Sequence, residues 1–94
     1  MDTKAMTPAM LEPADYQKRP VVIQAMQWDG TPESANAIEE WSDGKVERDD
    51  VHLEVKTLEG VMRANPMDWI IRGVQGEFYP CRDDIFTQTY VHAD

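Results

Sequence analysis

Ninety-four residues carrying a formal net charge of −9 make one small domain, near the lower limit for a self-sufficient core. Hydrophobic residues supply 41% of the chain and charged ones 29%, and no run approaches the roughly 18 apolar residues that span a bilayer. Cys81 is the only cysteine, which excludes an internal disulfide and fits a reducing cytoplasm.

The charge is uneven. Residues 1–28 balance to zero, with three acids against three bases. Residues 29–54 hold nine acids against Lys45 and Arg48, a net of −7, and residues 55–94 hold six acids against four bases. Such a field repels nucleic acid and steers basic partners inward. Direct nucleic-acid binding and membrane insertion are therefore not expected.

In chain order, residues 1–15 show neither period 2 nor period 3.6 and read as a flexible leader without the unbroken apolar stretch of a signal peptide. The domain is expected over residues 16–94. Residues 21–28 open with three β-branched residues and then alternate, which predicts a strand. Val21, Ile23 and Ala25 would face one way; Val22, Gln24, Met26 and Trp28 the other. Thr31-Pro32 then predicts a helix start, with Thr31 as cap and Pro32 at the first helical position. Ala35, Ala37, Ile38 and Trp41 form its apolar stripe, and Asp43-Gly44 ends it.

Residues 45–50 read as a polar connection. Residues 51–58 alternate with Val51, Leu53 and Val55 inward, and Glu59-Gly60 turns the chain into a return strand over residues 61–64. Asn65-Pro66 makes another turn before a strand over residues 69–74, and Gln75-Gly76 leads to one over residues 77–81 that Pro80 confines to an edge. Arg82 to Phe86 suits a short helical turn, and residues 87–91 a closing strand. The fold class is α+β: one helix on a bent antiparallel sheet or a small, partly open barrel, in the order β-α-β-β-β-β(-β).

Two segments carry a family resemblance. Lys18-Arg19-Pro20-Val21-Val22-Ile23-Gln24-Ala25, followed by Trp28, resembles the opening strand of a family of small, uncharacterised tailed-bacteriophage and prophage proteins. The series Leu58-Glu59-Gly60, Asp68-Trp69-Ile70-Ile71, Gly76-Glu77-Phe78-Tyr79-Pro80-Cys81, Phe86 and Thr89-Tyr90 resembles its closing half. The pattern covers about two thirds of the chain. Where the family has glycine before the aspartate, this chain has Met67, so that turn must accept a side chain. The resemblance implies a phage protein working in the host cytoplasm, and it brings no activity with it.

The residues themselves point away from catalysis. His52, His92 and Cys81 lack the spacing of metal ligands or of an oriented nucleophile, so no metal, cofactor or enzymatic activity is expected. The expected function is binding, to a host protein, through the acidic helix and loop residues Glu39, Glu40, Asp43, Glu47, Asp49 and Asp50. An alternative places a small ligand in a pocket around Trp69, Arg72, Glu77 and Tyr79, with Phe78 among its lining. The plainer reading of that cluster is that Asp68 caps its turn and Arg72 pairs with Glu77 across a hairpin. A third reading is a self-assembling structural protein, in the form of a homodimer that buries a sheet edge.

Overall fold

The computed structural model describes residues 13–17 and 19–93. The leader expected over residues 1–15 lies mostly outside them. In chain order the described residues form β1 (Gln24–Gln27), α1 (Pro32–Trp41), β2 (Val46–Arg48), β3 (Leu53–Thr57), β4 (Gly60–Ala64), β5 (Trp69–Arg72), β6 (Phe78–Cys81) and α2 (Asp83–Thr89). The class is α+β as expected. The strands do not share one sheet or close into a barrel. They divide into two antiparallel three-stranded sheets, ordered β1-β5-β6 and β2-β3-β4.

Alternation decides which residues meet between the sheets. On one face of the first sheet lie Gln24, Met26, Ile70, Arg72, Phe78 and Pro80, cross-strand neighbours in its register. On the facing side of the second lie Val46, Leu53, Val55 and Ala64. These surfaces, closed by Trp28 and by Ala35 and Ile38 of α1, make one core in which each buried apolar residue is at most 4% exposed. Trp41 packs edge-on against Phe78 with ring centroids 5.1 Å apart. The apolar stripe of α1 is narrower than its spacing suggests: Ala35 and Ile38 are buried, whereas Ala37 is exposed.

Both ends of α1 are held by side chains. Thr31 Oγ1 accepts from Ser34 N at 3.2 Å. At the far end Ser42, 1% exposed, donates from Oγ to Glu39 O and accepts from Val46 N at 3.0 Å. Asp43 and Gly44 both take positive φ, 55° and 81°, so the chain reverses directly into β2. That reversal turns the expected polar connection into a strand. Val46 pairs with Val55 and is fully buried, a tertiary partner that a local reading of six mostly polar residues does not contain.

Three further expectations are corrected. Val51 is 66% exposed, because the strand begins only at Leu53, after a turn whose amides are held by Asp49. The strand expected over residues 21–28 is cut to Gln24–Gln27, since β5 ends at Arg72, the partner of Gln24. The closing strand expected over residues 87–91 is absent: α2 runs to Thr89, and Phe86 and Tyr90, one turn apart, lie with ring centroids 5.0 Å apart.

Candidate interaction surfaces

Two surfaces of different chemistry lie on the described residues. The first is the acidic face of α1 and β2. Glu39, Glu40 and Asp43 are exposed on the last turn of α1 and just beyond it, and Glu47 and Asp50 are exposed on β2 and the following turn. Five of the six expected acids thus occupy neighbouring elements at the surface. Asp49 is different: its Oδ1 accepts from Val51 N at 2.9 Å and His52 N at 2.6 Å, which lowers its pKa from the ordinary carboxylate value. Asp49 holds its own turn.

The register of the second sheet concentrates the charge. Glu47 stands directly opposite Glu54, and Arg63 is the cross-strand neighbour on the other side of Glu54. Like charges opposed across strands are destabilising. Lys56 relieves Glu47 through an ion pair of 3.4 Å, with both side chains more than half exposed, where such pairs contribute little. Among the described residues, Glu39, Glu40, Asp43 and Asp50 have no side-chain ion pair.

The second surface is an apolar groove on the outer face of the first sheet. Ala25, Gln27, Trp69, Ile71, Tyr79 and Cys81 share that face. Helix α2 covers part of it: Phe86 stacks on Trp69 at 4.0 Å with the rings 8° from parallel, and Ile71 beneath is 1% exposed. Asp83, in the first turn of α2, accepts the indole N–H of Trp69 at 2.9 Å and the amide of Gln27 at 3.4 Å. Beyond the helix, an open groove of about 1180 Å³ runs between residues 19–25 and residues 86–93.

Of the four pocket residues expected from sequence, Trp69, Glu77 and Tyr79 line this groove and Arg72 does not. Arg72 is three positions from Trp69 on one strand and therefore points to the other face. There its guanidinium lies 6.0 Å from the ring centroid of Phe78, its cross-strand partner, and reaches Gln24 Oε1 at 3.5 Å. Phe78 is likewise a core residue, 4% exposed, rather than a pocket wall. The expected Arg72–Glu77 pair does not form: Glu77 folds over Gly73 and accepts from Gln75 N at 3.0 Å. Asp68 behaves as expected, accepting from Asn65 N at 2.9 Å across its turn.

Burial, followed by a hydrogen bond to Tyr90, pushes the Tyr79 hydroxyl up to about 12. It stays protonated and works as a polar edge on an apolar floor. Burial also raises the Cys81 thiol, with the Asp68 and Asp84 carboxylates adding to the effect. That is the direction opposite to an activated nucleophile. Sequence reasoning missed Asp83, Phe86 and Tyr90 as parts of this surface. The signal was present in an acidic pair, Asp83-Asp84, followed by aromatics at helical spacing.

Among the described residues no group of three or more His, Cys, Asp or Glu could hold a metal ion, and no helix is long and apolar enough to cross a membrane. No protein-family model, curated protein or solved structure matches this chain.

Proposed function

We propose that this protein is a non-enzymatic binding protein whose acidic α1–β2 face docks a basic surface on another protein. The observation that carries this reading is the density of carboxylates left without counter-charges. Glu39, Glu40, Asp43 and Asp50 have no ion pair among the described residues, and Glu47 faces Glu54 directly. A basic partner relieves that repulsion on binding, so the same charges that cost stability in the free protein favour the complex. The resemblance of the sequence to a phage family supports a host protein as that partner and the host cytoplasm as the setting.

The test is capture of the partner by the full chain at increasing ionic strength. Binding should weaken steeply with salt, and Glu39→Lys combined with Glu40→Lys should slow association while leaving the fold intact, because both side chains are exposed. Binding that ignores both salt and charge reversal would sink the reading. The apolar groove, with Trp69, Glu77 and Tyr79 brought together, supports the second reading of a small-ligand site.

A further inference from the structure

The three β-branched residues Val21, Val22 and Ile23 are the densest strand-forming run in the chain, yet they lie beyond the end of their sheet. β5 offers no residue past Arg72, because Gly73 turns away and donates to Glu77 O at 2.8 Å. Val21 is 48% and Val22 78% exposed. β1, which this run continues, is also an outer strand of its sheet, with β5 on one side and no strand on the other among the described residues. A β-branched run continuous with an open edge is a template for another strand.

Charge indicates which strand. In a chain with 27 charged side chains of the Asp, Glu, Lys and Arg types, residues 20–28 contain none. They are bounded by Arg19 on one side and Asp29 on the other. An antiparallel pairing of this segment with itself, centred on Gln24, sets Val22 opposite the partner's Met26 and Ile23 opposite the partner's Ala25. The same register brings Arg19 opposite the partner's Asp29 at both ends. The segment is thus self-complementary in the sense a two-fold axis requires. Over much of the remaining surface, two molecules of charge −9 repel.

We infer that residues 21–27 form a homodimer edge, in which two copies join their β1 strands antiparallel about Gln24 into one six-stranded sheet. The pairing extends β1 through Val21 and lays the partner's Ile23 beside Ala25 at the groove wall. The occupant of the edge is a second copy of this chain.

The test is the mass of the full chain in solution by light scattering across a wide range of concentration, with hydrogen exchange of residues 21–27 followed in parallel. A concentration-dependent species of twice the 10.8 kDa chain mass is expected, with residues 21–27 protected only in that species. Val21→Pro removes an N–H that faces the open edge, since Trp28, of the opposite parity, donates toward β5, and it should weaken the dimer at least about tenfold. Val22→Lys should weaken it as well. Because Val21 and Val22 are exposed and lie outside the strand, both variants should keep the circular dichroism of the parent. A chain that is monomeric at every concentration overturns the proposal. So does a dimer that both variants leave intact, or a monomer whose groove instead takes up an apolar dye.

Discussion

Met67 sits at φ 77°, a left-handed conformation that a non-glycine residue adopts only under constraint. The constraint is visible around it. Asn65-Pro66-Met67-Asp68 closes with Asp68 N donating to Asn65 O at 3.0 Å, and proline at the second and positive φ at the third position define a type II turn. Met67 N donates to Trp28 O at 2.6 Å and Met67 O accepts from Gln27, so the turn cannot relax without losing its link to β1. Since Met67 is 49% exposed, little packing offsets the strain. Met67→Gly should therefore raise stability by about 0.5–1 kcal/mol, read as a higher urea midpoint at unchanged slope. Its loss of stability would show that side-chain packing outweighs the backbone. Asp29 makes a second prediction at this scale. Its Oδ1 accepts from Ser34 Oγ and Thr31 Oγ1 at 2.6 Å each and from Thr31 N at 2.9 Å, which lowers its pKa from 3.8 to about 2. A carboxylate depressed by folding contributes stability that is complete above its ordinary value and is lost as pH falls through the folded one. The α1 N-terminus should thus loosen between about pH 4 and pH 2. In Asp29→Asn that part of the acid transition should disappear, and an NMR titration of Asp29 with an ordinary midpoint would refute the account.

The second helix shows why elements are harder to read than residues. α2 has seven residues, no buried side chain and no side-chain bond at its N-cap, so its own sequence barely sustains a helix. What holds it is tertiary: the Phe86 ring on Trp69 and Asp83 on the Trp69 indole. Thr87, Thr89 and Tyr90 favour strands in isolation, which is why residues 87–91 read as one, but the helical spacing is what brings Phe86 onto Trp69 and Tyr90 onto Phe86. The same logic explains β2, where a single buried valine makes the strand. Elements carried by alternation or periodicity, β3 and α1 above all, were legible because their signal is local. The candidate site was half legible: aromatic clustering identified Trp69 and Tyr79, while strand parity, which removes Arg72 to the other face, could have been applied to the sequence directly. Trp69→Ala should accordingly unfasten α2. The stacked pair contributes about 0.5–1.5 kcal/mol beyond its buried area, so amide exchange over residues 83–90 should accelerate while β3 keeps its protection. Uniform acceleration across the chain would mean that α2 and the core open together.

At the scale of the whole molecule, the two sheets depend on each other. Trp28, Ile70 and Phe78 of the first sheet and its flank, Val46, Leu53, Val55 and Ala64 of the second, and Ala35 and Ile38 of α1 belong to a single buried cluster. Without its partner each sheet would leave its core-facing residues in water, and a three-stranded sheet with that face exposed is marginal. A domain this short removes only about 60% of its unfolded surface from water, so it holds little stability in reserve. Leu53 is the sharpest probe, being fully buried and paired with both Arg48 and Ala64 in the middle strand of its sheet. Leu53→Ala should cost about 2–5 kcal/mol through the lost burial and the cavity left behind. Because the core is shared, that loss should fall on both sheets at once. The amides of β1 and β5, which never touch the substituted strand in the hydrogen-bond ladder, should exchange faster in step with those of β3. If only β2, β3 and β4 lose protection, the molecule consists of two units that fold separately, and the single core is not what stabilises it.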